Sequence, residues 1–271
     1  EFLRQLINSL QEKLKGTDLE DSIPNLLCGR YRKTFKCTDV DYQSIKEEDF
    51  YDLSMDVKGI PNLVESFKAY VKPEDLVGDN QYDAASFGKQ DATMKTEFVK
   101  LPPVLHLQLC RFLYDHRKDK LAKINDRFEF PLIIDLTEFL TEDSPDRSRS
   151  NVYDLYGVLV HSGTCDSGHY YAFLRTSTSP QWYKFNDSYV SKETVENAVN
   201  KNYGNTFYEE FLGKKENNCN GYILIYVHRD SAESIFEPIK DESIPIHLRQ
   251  QKDLIKIQFV FDSILKKNSI N

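Results

Sequence analysis

His169, Asn186 and Asp187 are the residues of this 271-residue chain whose types and spacing best suit catalysis. The histidine opens a run, His169-Tyr170-Tyr171-Ala172-Phe173-Leu174, that reads as a strand. The Asn-Asp pair closes the next one, Trp182-Tyr183-Lys184-Phe185. A residue at one strand's start and a pair at the next strand's end can stand side by side. Neutral imidazole titrates near pH ~6.5, so it can take a proton and return it. A side-chain oxygen on one ring nitrogen fixes the tautomer and leaves the other facing a nucleophile. Asn186 can supply that oxygen without a charge, and Asp187 with one; the sequence alone does not rank them. A lone histidine is more often a satisfied core group. The flanking glycines, the Asn-Asp pair and Tyr170, Tyr171, Trp182 and Phe185 favour catalysis here.

The elements that must position this pair run from Val158 to Ser191. Tyr156, Val158 and Val160 alternate with Gly157 and Leu159, the period of a strand. His161 to Gly168 reads as a loop whose two glycines permit a tight turn or a close backbone approach. His161, Cys165 and His169 are residue types that suit zinc. Their spacing would align on a helix, but Gly163 and Gly168 argue against one, and no fourth ligand is apparent. Metal is therefore disfavoured. Ser162 and Cys165 could be nucleophiles, yet neither stands at a strand-to-helix elbow; both read as loop residues.

Composition bounds the rest. Apolar residues make up 40% and aromatics 13%, a globular balance. Acids outnumber bases 43 to 35, a net charge of −8, which disfavours a nucleic-acid partner and accommodates a basic protein. The five cysteines show no close pairing, which fits a reduced intracellular protein. No signal peptide or membrane-length apolar run is visible, and no membrane partner is expected. The first residue is not Met, so the chain is expected to begin inside a longer protein.

GHYYAFLR followed by WYKFNDSYVS resembles the histidine box of the ubiquitin-specific proteases, papain-like cysteine enzymes that cleave ubiquitin from its conjugates. Glu1-Phe2-Leu3 with the following helix, and LPPVLHLQLCRFLYD at 101–115, match further boxes. GDNQYD, INDRFEFP, VHSG and NYGN most resemble the herpesvirus-associated branch and its fungal relatives. The match spans roughly residues 1–228. It implies an α+β papain-like fold with fingers at about 23–100, a palm at about 101–228 and an incomplete thumb. Residues 229–271 would then be an extension towards further domains.

By the same resemblance His169 is base and later acid, Asn186 its orienting partner and Asp187 the reserve. His161 and Tyr170 line the channel for ubiquitin's C-terminal tail, Arg127 and Phe128 contact it, and some acids between Asp39 and Asp83 serve recognition. Partners are ubiquitin and ubiquitinated proteins; the setting is the nucleus or cytoplasm, and no cofactor is implied. The fingers of many relatives hold zinc through two Cys-x-x-Cys pairs. Here Val40, Ala84 and Phe87 stand beside Cys37 at those positions, and one sulfur cannot make a tetrahedral site. The family's cysteine box lies upstream of Glu1, so the nucleophile is expected outside this chain. Cys28 and Cys37 fall in the fingers, Cys110 in a buried strand, Cys165 on a flexible loop and Cys219 near a far loop. The alternative from another class is a non-catalytic ubiquitin-binding module.

Elsewhere the pattern predicts a helix over 1–15, with Phe2, Leu3, Leu6, Ile7, Leu10 and Leu14 on one stripe and Gly16 as its stop. A short helix is expected over Pro61–Tyr70, and a strand with Leu105, Leu107 and Leu109 on one face and a core His106. Ser191 is expected to cap a helix reaching Ala198, and Tyr222–Val227 to form a closing strand. Pro245 opens a helix, while Ile255, Ile257, Phe259 and Phe261 alternate like a strand.

Overall fold

A computed structural model describes residues 2–116, 119–209 and 213–251 of the chain. Helix α1 (Phe2–Leu14) ends before Gly16, whose positive φ of 73° permits the turn. The predicted stripe is mostly uncovered among the described residues: Ile7 is buried, while Leu6 and Leu10 are exposed. Arg4 ties α1 to the turn after β2 through two bonds to Asp52, each 2.9 Å. Helix α2 (Ser22–Leu27) leads into β1 (Gly29–Cys37), β2 (Gln43–Phe50) and β3 (Leu53–Asp56). Helix α3 (Leu63–Val71) is capped by Asn62, whose Oδ1 accepts the Glu65 N–H, with Pro61 just outside. After β4 (Glu74–Leu76), a small hairpin of β5 (Tyr82–Asp83) and β6 (Lys89–Gln90) precedes β7 (Ala92–Lys100).

Strands β2, β1, β7 and β4, in that order, make the finger sheet. Its acids are largely spoken for within the chain. Arg30, Tyr31 and Arg32 of β1 stand opposite Asp49, Glu48 and Glu47 of β2, and each donates to its partner at 2.6 to 3.1 Å. At the fingertip, Cys37, Ala84 and Ala92 form a separate buried cluster with Val40, Tyr42 and Tyr82 packed on it. Phe87 lies outside it, half-exposed, its ring 5.8 Å from that of Tyr42.

The palm follows: β8 (Val104–Cys110), the hairpin β9 (Phe112–Asp115) and β10 (Lys120–Lys123), β11 (Ile133–Asp135), β12 (Val152–Gly163), β13 (Gly168–Arg175), β14 (Trp182–Asn186) and β15 (Tyr189–Glu193). Helix α4 (Val195–Ala198), the pair β16 (Asn205–Glu209) and β17 (Gly213–Asn217), and β18 (Cys219–His228) complete it. The palm sheet runs β15-β14-β13-β12-β18-β8-β3, with β11 pairing the start of β12. All neighbours are antiparallel except β3 and β8. Leu105, Leu107 and Leu109 are fully buried, as their alternation predicts. A register shift between Leu155 and Gly157 switches the buried parity of β12 from Tyr153 and Leu155 to Val158 and Val160.

Two local expectations are corrected. Ser191 does not cap a helix, because Tyr189–Glu193 pairs with β14; Thr194 is the cap, its side chain accepting the Asn197 N–H. The predicted loop from His161 to Gly168 is shorter, because β12 continues to Gly163 and β13 begins at Gly168.

Residues 1–232 form one compact unit and 233–271 a second. In the second, residues 246–251 are helical, immediately after Pro245; the alternation at 255–261 lies outside the described residues. No helix among the described residues is long and apolar enough to cross a membrane.

Candidate active site

The site forms where the β12–β13 hairpin meets the tip of β14–β15. Thr164–Ser167 closes the first hairpin, with the Thr164 N–H bonded to the Ser167 carbonyl at 2.8 Å and Gly163 at φ 120°. A Cβ on Gly163 would fall 2.4 Å from that carbonyl, so the position requires glycine. Asp187 and Ser188 join β14 to β15, and Asp187 takes the positive φ that a two-residue hairpin favours. This geometry brings His169 Nε2 to 2.6 Å from Asn186 Oδ1 and 3.9 Å from Asp187 Oδ2. The structure thus ranks the two side chains: Asn186 makes the hydrogen bond, and Asp187 is a more distant, 78% exposed charge. With Oδ1 as acceptor, Nε2 carries the proton and Nδ1 keeps its lone pair.

The two faces of the hairpin differ. Ser162 stands opposite His169 on one side of β12 and opposite Cys219 on the other. These three share a row across the sheet, and the Cys219 thiol donates to Ser162 Oγ at 3.1 Å. Cys219 is therefore not near a far loop, as its sequence position suggested; β18 carries it into the site. Tyr171 and Phe173 continue this face, with the Lys184 ammonium 4.3 Å from the Tyr171 ring centre. On the opposite face His161 pairs with Tyr170 and packs edge-on against Phe112, at 5.2 Å between ring centres.

The four expected tail contacts separate into two pairs. Tyr170 is half-exposed, and Arg127 is also partly open, stacked over Tyr203 at 5.1 Å and paired with Glu129. His161 and Phe128 are instead buried. His161 is 4% exposed and lies beneath Tyr170, because β12 extends through it. Burial, and then the nearby Lys123 charge, push its pKa down. Phe128 is fully buried, because 127–130 is extended: Phe128 and Phe130 point inward and Arg127 and Glu129 outward.

Two cations, a buried Arg111 and a half-buried Lys123, brace this region, and neither was singled out from sequence. The Arg111 guanidinium donates to the carbonyls of Gly221, Ile124, Asp126 and Tyr203 at 2.8 to 3.1 Å, and burial lowers its pKa to about 10. The Lys123 ammonium donates to the carbonyls of His161, Gly163 and Asn218 at 3.1, 2.9 and 2.6 Å. Burial lowers its pKa to about 8. Among the described residues, no group of three or more metal-ligating side chains converges.

The mixed sheet and its hydrogen-bonded His–Asn pair fit one class: the chain has the papain-like α+β fold of the ubiquitin-specific proteases. The family model described as "Ubiquitin carboxyl-terminal hydrolase" matches residues 1–226, and the chain belongs to that family. It is 39% identical over 254 residues to ubiquitin carboxyl-terminal hydrolase 5 of Schizosaccharomyces pombe, covering 92% of this chain and 23% of that protein. It is 42% identical over 265 residues to ubiquitin C-terminal hydrolase 12 of Arabidopsis thaliana, with the same 92% and 23% coverage. Against ubiquitin carboxyl-terminal hydrolase 7 of Drosophila melanogaster the identity is 40% over 256 residues, covering 94% and 22%. The chain thus spans less than a quarter of the length of these relatives.

Proposed function

We propose that residues 1–228 are the C-terminal part of the catalytic domain of a deubiquitinating thiol hydrolase, with 229–271 leading to further domains. The fingers occupy about 23–100 and the palm 101–228. The reaction is hydrolysis of the bond after the C-terminal glycine of ubiquitin, whose conjugates are the substrates. The observation that carries this reading is the 2.6 Å bond from His169 Nε2 to Asn186 Oδ1, in a chain of this family. His169 Nδ1 takes the thiol proton; the thiolate attacks the carbonyl; the imidazolium then protonates the leaving amine. Water, deprotonated by the same nitrogen, releases the acyl group. Asn186 holds the tautomer, and Asp187, 3.9 Å from Nε2, is the reserve partner.

The nucleophile comes from chain outside residues 1–271. Cys37 lies in the fingertip cluster, Cys28 and Cys110 lie outside the site, Cys165 is on a hairpin loop, and the Cys219 thiol is directed at Ser162. Tyr170 and Arg127 meet the ubiquitin tail. On GDNQYD, INDRFEFP, VHSG and NYGN, we place the chain nearest the herpesvirus-associated branch of the family, acting inside the cell.

The test is hydrolysis of a ubiquitin–fluorophore amide by the protein carrying the upstream segment. His169→Ala should cost several orders of magnitude in turnover, as for a base that acts with its nucleophile as a unit. Residues 1–271 alone should neither turn over nor be labelled by a ubiquitin C-terminal electrophile. Wild-type turnover in folded His169→Ala would overturn the assignment of the base. Labelling of residues 1–271 that is lost in Cys219→Ser or Cys165→Ser would overturn that of the nucleophile.

A further inference from the structure

We propose that Lys123 is a positioning residue for the catalytic imidazole, acting through the β12 backbone without touching substrate. The inference rests on His169 being the base. His169 lies on a part of β13 that is held from one side only. Strand β14 pairs with Ala172 to Arg175, whereas Gly168 to Tyr171 pair with β12 alone. The backbone of His169 therefore goes where Ser162 and its neighbours go.

Those neighbours stand at the end of a ladder. The ladder of β12 with β18 ends at Ser162 and Cys219, followed by one last backbone bond, from the Gly163 N–H to the Asn218 carbonyl at 3.2 Å. A carbonyl has two lone pairs, and at such an end those that the ladder leaves open need another donor. Lys123, the last residue of β10, fills the gap from outside the sheet. An ammonium has three donors, and here all three are used: His161 and Gly163 on either side of Ser162, and Asn218 just before β18. No carboxylate is among these partners. The cation acts in place of a missing strand, clamping the two residues that flank the one opposite His169.

The consequence is geometric. If the clamp is removed, the Ser162–His169 rung can move relative to β14, which carries Asn186, and the His169–Asn186 bond is the contact that suffers. A misplacement of about 1 Å at a reacting group costs on the order of 10²-fold in rate.

The experiment uses the full-length protein and compares Lys123→Met with Lys123→Arg and His169→Gln. Ubiquitin–fluorophore turnover is measured across pH, with iodoacetamide inactivation of the nucleophilic thiol as a second readout. Lys123→Met should lower kcat by roughly 10- to 100-fold with KM little changed. It should also raise the pH at which the thiol becomes reactive, because a displaced imidazole no longer stabilises the thiolate. Lys123→Arg, which keeps a cation and several donors, should recover part of both. A merely structural role would instead lower thermal stability and ubiquitin affinity and leave the pH of thiol reactivity where it was; that pattern, or wild-type kcat in folded Lys123→Met, would overturn the proposal. If Lys123→Met does not fold, Lys123→Gln carries the same readouts. Turnover surviving His169→Gln would refute the underlying reading. Its loss beside a wild-type-like Lys123→Met would refute only the role of Lys123.

Discussion

The fingers and the palm solve the same stability problem with different means. The palm buries large side chains in a continuous core, including Phe128, Phe130, Tyr153, Trp182 and Tyr226, which the base of the fingers joins through Phe50, Phe67 and Phe98. Strands β1 and β2 of the finger sheet carry a row of cross-strand ion pairs, Arg30–Asp49, Arg32–Glu47 and Lys33–Glu48, and the fingertip holds a small separate apolar cluster. Burial of a large apolar side chain contributes about 1.5–3 kcal/mol, whereas an exposed ion pair contributes about 0–1 and is screened by salt. Rigidity is thus concentrated in the sheet that carries the His–Asn pair, and the finger strands are left more compliant.

The comparison can be broken most directly at Phe130. It is fully buried and meets Tyr203 edge-on at 4.8 Å between ring centres. Phe130→Ala should cost about 3–5 kcal/mol, read as a lowered urea midpoint with unchanged slope; a loss below about 1 kcal/mol would mean the palm is no better packed than the fingers. A smaller effect is expected from His106, buried in β8 with Nδ1 unpartnered among the described residues. Burial lowers its pKa, so the unfolded chain binds the proton more readily. Stability should therefore be fully present above about pH 6.5 and fall as pH drops below it. Thermal melts of His106→Gln should show a shallower acid slope; identical slopes would remove His106 as a cause. The smallest effect is predicted at the fingertip. Cys37, Val40 and Ala84 pack as an apolar cluster, so a chelator should leave the thermal midpoint unchanged. About one zinc per chain by elemental analysis would contradict that.

Sequence reasoning reached the parts that are local in character. The alternation of Leu105, Leu107 and Leu109 described a buried strand, and the ends of two aromatic runs located His169 beside Asn186. What it missed depended on register. Cys219 is fifty residues from His169 in the chain, yet the β12 ladder puts both opposite Ser162. His161 looked like a loop residue because the pattern does not say how far β12 runs. Phe128 could have been placed correctly, since Arg127-Phe128-Glu129-Phe130 alternates polar and apolar. Ser191 and Thr194 are equally good caps by type; pairing of β15 with β14 decides between them. Lys123 had no signal at all, because its partners are backbone carbonyls far along the chain.

The order of strands also has a consequence for synthesis. Strand β18 is the last of the palm to be made, yet it lies between β12 and β8. Until it emerges from the ribosome, the inner edges of β12 and β8 have no neighbour, and both are strongly apolar. Exposed edges of this kind invite pairing with other chains. A nascent chain stalled just short of Cys219 should bind chaperones and aggregate, whereas one extended past His228 can close its own sheet.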